Sequence, residues 1–208
     1  WVCPVLDKTI GLFGGTDVIS VVLVDAISGE CKEYSLEEIK TNASLQWIDR
    51  VFDSDLIVEQ YNYFGKYRQG FWNSILGQRD VITTTANYNY LAKDDDVWMY
   101  TGVTSVTSDD SIVGFAIINQ RTKEAVFQRI AGTTESGAQT SAQGIVSDKG
   151  WNATFPILLN IDGEATYFMA LKDNDIVKSY AMVSVERVQD AVRSEDDANP
   201  DLEACLKS

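Results

Sequence analysis

Four side chains in one short segment, Arg68, Trp72, Asn73 and Arg79, have the types best suited to binding chemistry. Two glycines bracket the centre of the segment, and secondary-structure propensity alone does not explain its mixture of polar and aromatic residues. A guanidinium holds carboxylate or phosphate oxygens through paired N–H donors, whereas an indole offers a large apolar face with one donor. If the chain has a binding surface, we expect it at these four residues, whereas the aromatic side chains of this region can equally pack helices onto a sheet. We expect no catalytic residue in the chain.

The chain contains no histidine among its 208 residues. Because histidine is the usual general base near neutral pH and the commonest transition-metal ligand, Ser-His-Asp sets, Cys-His sets and HExxH zinc sites are excluded. Carboxylates remain available for acid–base chemistry, but with 31 acidic residues no particular pair can be selected from the sequence. We therefore lean towards a protein that is not an enzyme.

Three segments have the residue types of a cofactor or metal site. Residues 11–16 are glycine-rich, but they lack the GxGxxG and Gly-Lys-Ser/Thr patterns and precede a predicted strand instead of a helix. The acidic triplets at 94–96 and 173–175 lack the twelve-residue register of an EF-hand, so charged hairpin turns are the favoured interpretation. We expect neither a metal nor an organic cofactor.

Three cysteines, Cys3, Cys31 and Cys205, lie far apart in the sequence and form no CxxC pair. A disulfide between Cys3 and Cys31 is one hypothesis if the compartment is oxidising, and three reduced, mostly buried thiols is the other.

The charge balance disfavours nucleic acid as a partner. The chain carries 17 Lys and Arg residues against 31 Asp and Glu residues, which gives a net charge of −14. Binding to the phosphates of a nucleic acid needs clustered basic residues.

The longest apolar runs of the sequence are far shorter than the ~20 residues of a membrane-spanning helix. Any membrane attachment is therefore expected through segments absent from this chain.

The first half of the chain predicts a hairpin followed by helices. Strands at 17–27 and 30–34 flank a Ser-Gly turn, and Ser35 with Glu38 fits a capping box at the start of a helix. From residue 45 to residue 67 apolar residues recur at three- and four-residue steps, which predicts two amphipathic helices whose aromatic stripe packs in the core.

The second half predicts an antiparallel meander with one helix. Strands are expected at 80–85, 88–91, 97–106, 112–119, 124–130, 151–161, 164–171 and 176–188, with a helix from about 134 to 148. The strand-turn-strand-helix order repeats that of the first forty residues. Asp25–Glu30 aligns with Asn119–Glu124 at an offset of 94, although only the two glutamates are identical.

These elements predict an α+β fold of antiparallel sheets with three to four helices. We expect a hairpin-and-helix module at 1–70, a mainly β module at 71–192, and an acidic connector with a short helix at 193–208. The Asp-x-x-Ser-Gly-Glu turn between two strands beside a helix resembles the PepSY-type fold, which implies two similar modules packed together.

A wider resemblance runs through segments 47–51, 70–80, 100–105, 154–160 and 166–173. Together they look like a set of uncharacterised bacterial proteins, mainly Gram-positive, in which membrane segments precede a large soluble region. This resemblance implies membrane association, a soluble region on the extracytoplasmic side and a protein partner at the membrane or cell envelope. It carries no catalytic or ligand residue over to this chain.

Three functions follow as hypotheses. The leading one is a non-enzymatic soluble domain of a membrane-anchored bacterial protein, which binds or assembles with other proteins through a sheet edge or an aromatic groove. The alternatives are a carboxylate-based hydrolase of carbohydrate or cell-wall material, with two carboxyl groups across a cleft, and a small-molecule sensor with an enclosed apolar pocket.

Overall fold

The computed structural model describes residues 1–10, 14–106 and 111–194, and confirms an α+β fold with mostly antiparallel sheets. In these ranges the helices are α1 Leu36–Thr41, α2 Ser54–Tyr67 and α3 Glu135–Gly144, with a 3₁₀ turn at Ala43–Leu45 and a π-helical segment at Asn73–Gly77. The strands are β1 Val2–Ile10, β2 Gly14–Val24, β3 Cys31–Ser35, β4 Ile82–Thr84, β5 Asn89–Lys93, β6 Asp96–Ser105, β7 Ser111–Asn119, β8 Ala125–Thr133, β9 Asn152–Ala153, β10 Ile157–Ile161, β11 Glu164–Asp173, β12 Ile176–Ser184 and β13 Ala191–Arg193.

The strands form three sheets. The first has the order β1-β2-β3, the second has the order β4-β6-β7-β8 with β5 beside β6, and the third has the order β10-β11-β12-β13 with β9 beside β11. None of the helices in the described ranges is both long enough and apolar enough to cross a membrane.

The chain divides into two compact units, residues 1–101 with 116–128 and residues 102–115 with 129–208. The dividing points fall inside β6, β7 and β8, so each unit is built from separate stretches of sequence. The expected module boundaries at 70 and 192 stay a prediction. The connector expected at 193–208 lies outside the described residues from 195 onward, as do Cys205 and residues 11–13 of the glycine-rich segment.

The β2–β3 hairpin and the helix that follows it have the predicted local structure. Ser35 accepts the N–H of Glu38 at 3.2 Å through its hydroxyl, and the Glu38 carboxylate accepts the N–H of Ser35 at 2.8 Å. This reciprocal pair is the predicted capping box, and it starts α1 directly at the end of β3. The helix then buries Ile39 completely.

The turns that begin at Asp25 and Asn119 have the same hydrogen bonds. In the first turn the N–H of Asp25 donates to the carbonyl of Glu30 at 2.9 Å, and the N–H of Gly29 donates to the carbonyl of Asp25 at 3.0 Å. In the second turn the N–H of Asn119 donates to the carbonyl of Glu124 at 2.8 Å, and the N–H of Lys123 donates to the carbonyl of Asn119 at 2.9 Å. The first side chain accepts the third and fourth N–H groups at 2.7 to 2.9 Å. The fifth residues, Gly29 and Lys123, both have left-handed φ angles, 74° and 63°. The alignment at offset 94 therefore holds at the level of the backbone.

Helix α2 packs through one stripe of its surface. Ile57 and Gly65 are buried, and Tyr61 between them is half-buried. Asn62 ties the helix to β4, because its side-chain oxygen accepts the N–H of Thr84 at 2.8 Å. A Cβ at Gly65 would overlap the backbone carbonyl of Ile82, so the glycine allows this close approach.

Two expectations for residues 45–67 are wrong. The first predicted helix is only a 3₁₀ turn followed by an irregular segment, in which Ile48, Val51 and Phe52 are nevertheless buried. The aromatic stripe does not pack in the core as a whole: Phe52 is buried and Tyr61 is half-buried, but Trp47 is 62% exposed and Phe64 is 57% exposed. The residue of α2 that faces β4 is Gly65 and not its neighbour Phe64. The backbone of β4 comes so close to the helix at this point that only a residue without a side chain fits.

The second unit contains the two predicted C-terminal hairpins. Asp162 and Gly163 both have positive φ and connect β10 to β11, as an Asp-Gly hairpin turn requires. Residues 173–176 connect β11 to β12, so the second acidic triplet is a hairpin turn. In α3 the predicted small-residue face is confirmed, because Ala138 and Ala142 are fully buried.

Cys3 and Cys31 cannot form the disulfide that was one of the two hypotheses. Cys3 in β1 pairs with Val22, and Cys31 in β3 pairs with Val24, so the whole of β2 lies between the two cysteines. Two strand spacings separate them by roughly 10 Å, beyond the ~7 Å Cα limit of a disulfide. Both are free and exposed, which also corrects the expectation of mostly buried thiols.

Candidate functional sites

Exposed apolar side chains cover the C-terminal half of α2 and the π-helical segment after it. We call this region the aromatic surface, and its members are Tyr63, Phe64, Tyr67, Phe71, Trp72, Ile75 and Leu76. Tyr67 stacks on Tyr63 and on Phe71, with ring centroids 6.3 Å apart in both pairs, and Phe71 meets Trp72 edge to face at 5.7 Å. Trp72 and Leu76 are 73% and 80% exposed. Exposed apolar patches of this kind mark interaction sites.

Two of the four predicted binding residues hold this segment in shape. Arg68 donates two hydrogen bonds from its guanidinium to the backbone carbonyl of Asp80, at 3.1 and 2.7 Å. Asn73 donates to the carbonyl of Arg79 at 2.9 Å and accepts its N–H at 3.2 Å. These contacts close the loop between α2 and β4, so Arg68 and Asn73 position the aromatic surface.

The other two predicted residues lie at the surface itself. Trp72 presents most of its indole to solvent, and Arg79 is exposed, since Asn73 engages only the backbone of Arg79.

The aromatic surface lies in the longest stretch of the chain without an acidic residue. No Asp or Glu occurs between Glu59 and Asp80, although the chain as a whole carries roughly one acidic residue in every seven. The same stretch contains three basic residues, Lys66, Arg68 and Arg79. This stretch, bounded by Glu59 and Asp80, therefore carries only positive charges in a protein of net charge −14.

A second candidate site is an open groove beside β3, with a volume of about 450 Å³. We call it the β3 groove. Its apolar walls are Trp1, Leu23, Tyr34 and Trp47, and its charged walls are Asp25, Glu30 and Lys32. The Lys32 ammonium sits 4.7 Å from the centre of the Tyr34 ring, so the aromatic wall already holds a cation.

The outer edge of β3 offers unpaired backbone groups next to this groove. Val24 exchanges backbone hydrogen bonds with Trp1, so Val24 faces β1. Since residues of an antiparallel strand alternate between neighbours, Lys32 and Tyr34 face β2, whereas Cys31 and Glu33 direct their N–H and C=O groups outward. In the described part of the chain β3 pairs with β2 alone.

Sequence reasoning missed the β3 groove. The sequence pattern places Trp47 in a stripe predicted to be buried, and it indicates only strand positions for Lys32 and Tyr34. The sequence predicts the β2–β3 hairpin that forms part of the groove. Trp47, which lies over the face of this hairpin, comes more than ten residues after the end of β3. Only the tertiary structure brings Trp47 to that face.

The shifted acidic groups are ionised at neutral pH. The carboxyl groups of Asp17, Asp25, Glu38 and Asp96 all have a lowered pKa. For Asp25 in the β3 groove, the cause is the pair of N–H groups of Ser28 and Ile27 that its carboxylate accepts. No group of three or more Cys, Asp or Glu residues in the described ranges is arranged to hold a metal ion.

Comparison with known proteins adds no family. No family model matches the chain, and neither the curated proteins nor the solved structures gave a match.

Proposed function

We propose that this chain is a non-enzymatic interaction domain, the soluble part of a membrane-anchored bacterial protein facing the extracytoplasmic side. Its partner is another protein of the membrane or cell envelope, bound as an extended segment along the outer edge of β3. The resemblance to membrane-anchored bacterial proteins supports the location, and the β3 edge supports the mode of binding.

The observation that carries the proposal is the combination of an open strand edge and a groove. Cys31 and Glu33 offer two donors and two acceptors, which an added strand would pair in the usual antiparallel or parallel ladder. Alternate side chains of that strand would point into the β3 groove. Backbone bonds then provide affinity and the groove provides specificity.

The groove indicates which side chain the partner presents. Trp47 and Tyr34 offer aromatic faces, Asp25 and Glu30 add two negative charges, and Lys32 and the ammonium of Trp1 add positive charge. Aromatic faces flanked by carboxylates favour a cation, and because Lys32 occupies the face of Tyr34, a cation of the partner would bind against Trp47. The partner segment should therefore carry a lysine or arginine at the groove position.

The two alternatives have less support. A glycosidase needs one carboxyl group whose pKa is raised so that it stays protonated as the acid, whereas the pKa of Asp25 is lowered. A small-molecule sensor needs an enclosed apolar pocket, whereas the β3 groove is open and carries three charged residues.

The test is cross-linking of the chain to native envelope proteins, followed by mass spectrometry that maps the linked residues. We expect one dominant partner with cross-links at Lys32, through a segment that contains a basic residue. Glu33→Pro should abolish the complex and Glu33→Ala should not, because only proline removes an outward N–H, whereas both variants lose the carboxylate that accepts the hydroxyl of Ser20 on β2. Trp47→Ala should weaken it by removing one wall of the groove.

Trp72→Ala is the matched control, because Trp72 is also an exposed tryptophan but lies on the aromatic surface. The proposal predicts an unchanged complex for this variant. A complex that survives Glu33→Pro and Trp47→Ala but disappears in Trp72→Ala would overturn binding at β3, as would cross-links confined to residues 60–79.

A further inference from the structure

The aromatic surface is a separate site from the β3 groove, and its chemistry is different. It projects aromatic and aliphatic side chains outward, with Leu76 and Trp72 the most exposed of them. It also offers few unpaired backbone groups, because α2 and the π-helical segment use their own N–H groups internally. An extended peptide therefore has little to pair with here.

The stretch of sequence that contains this surface differs in charge from the chain as a whole. Residues 60–79 carry Lys66, Arg68 and Arg79 and no acidic residue, in a chain of net charge −14. A surface that is apolar at its tip and basic around it is complementary to a bilayer with anionic headgroups. Tryptophan and tyrosine favour the same interfacial zone, since one end of each side chain is apolar and the other is polar.

The loop is also braced for a fixed shape. The Arg68 guanidinium holds the carbonyl of Asp80, and Asn73 holds both backbone groups of Arg79. The stacked rings of Tyr63, Tyr67 and Phe71 extend this order along α2. Exposed apolar side chains on an ordered segment lose little conformational entropy when they bind.

We infer that the aromatic surface inserts into the headgroup region of an anionic lipid bilayer. Phe71, Trp72, Ile75 and Leu76 enter the boundary between headgroups and acyl chains, while Lys66 and Arg79 contact the anionic headgroups. The chain then touches the membrane through its own residues, in addition to any segment that anchors it. This inference does not depend on the protein partner at β3.

The experiment is co-sedimentation of the chain with vesicles of phosphatidylcholine alone or phosphatidylcholine mixed with phosphatidylglycerol. We expect binding to the mixed vesicles, with weaker binding to the neutral ones and at high salt. Leu76→Asp should lower the binding constant for the vesicles by about tenfold or more. The substitution removes an apolar side chain that enters the bilayer and adds a negative charge that the anionic headgroups repel. Arg79→Glu should weaken binding to the mixed vesicles alone.

Tryptophan fluorescence reports the site directly. Vesicles should shift the emission of the wild-type chain to the blue, and the shift should be lost in Trp72→Phe while sedimentation persists. Trp47→Ala serves as the matched control and should leave both readouts unchanged, whatever it does to the β3 partner. Absence of binding to the mixed vesicles, equal binding by Leu76→Asp, or a blue shift that Trp72→Phe retains would each overturn the inference.

Discussion

Arg121 holds Asp96 through two short hydrogen bonds, from Nε to Oδ1 at 2.7 Å and from Nη2 to Oδ2 at 2.6 Å. Both side chains are largely buried, and Asn119 donates a further bond to Asp96 Oδ2 at 2.9 Å. Asp96, the last residue of the acidic triplet at 94–96, is therefore part of a structural ion pair. Asp94 and Asp95 have positive φ angles and form the turn between β5 and β6.

This pair makes the stability of the fold depend on pH. The bonds from Arg121, opposed by burial and reinforced by Asn119, lower the pKa of Asp96 below its ordinary value near 3.8. A carboxyl group with a lowered folded-state pKa contributes stability above the unfolded-state pKa, and this contribution is lost as the pH falls through the folded-state value. The free energy of unfolding should therefore fall as the pH drops below about 4.

Arg121→Met should test the pair quantitatively. At pH 7 we expect a loss of about 3 kcal/mol in the free energy of unfolding, because Asp96 is left buried with its charge uncompensated. The loss should shrink below about pH 4, where Asp96 takes up a proton. Urea denaturation at pH 7 and pH 3 measures both values. Arg187→Met is the control, since the Arg187–Glu164 pair is more than half exposed and should contribute less than about 1 kcal/mol.

The two equivalent turns should respond differently to loss of their first side chain. Asn119 is buried, and besides its two backbone contacts it donates to Asp96, so Asn119→Ala should cost about 2 to 3 kcal/mol. Asp25→Ala removes the same two turn contacts at an exposed position and should have a much smaller effect. Thermal unfolding of both variants, side by side, checks this order. Equal losses would contradict the buried role of Asn119.

Gly65 should resist substitution by even the smallest side chain. The methyl group of Gly65→Ala would overlap the Ile82 carbonyl, so α2 must move away from β4, at a cost of about 1 to 3 kcal/mol. Gly144→Ala, at the end of α3, meets nothing within 4 Å and should be neutral or stabilising by up to about 1 kcal/mol. Calorimetry compares the two. A neutral Gly65→Ala would show that the close approach to β4 does not hold α2 in place.

Cys3 and Cys31 should not form a disulfide with each other even under oxidising conditions. The chain purified without reductant should be alkylated by iodoacetamide at both positions, and its unfolding midpoint should not change when dithiothreitol is added. Peptide mapping identifies the modified cysteines. A Cys3–Cys31 disulfide peptide would show that β3 does not occupy the place beside β2 described above.

Local patterns were enough to predict most strands and two helix starts. The capping box at Ser35 and the Asp-Gly hairpin at residue 162 depend on contacts within a few residues, and the small-residue face of α3 follows from the helical spacing of its alanines. The Asp25 and Asn119 turns likewise depend on side chains that bind their own backbone. Strand β1 was not predicted, because its partner β2 lies across a glycine-rich segment and its alternation is broken by a bulge at Val5 and Leu6.

Burial of the aromatic residues was decided only by the tertiary structure. From the sequence, Trp47, Phe64 and Phe71 are equally suited to the core or to a surface, because hydrophobicity does not say which face of a helix meets a sheet. Asn62 and Gly65 dock α2 on β4, and this contact turns Tyr63, Tyr67 and Phe71 towards solvent. The sequence by itself determined the fold class, the absence of histidine chemistry and the acid-free stretch at 60–79. The packing of α2 determined that this stretch is a surface, since only long-range contacts select which residues are buried.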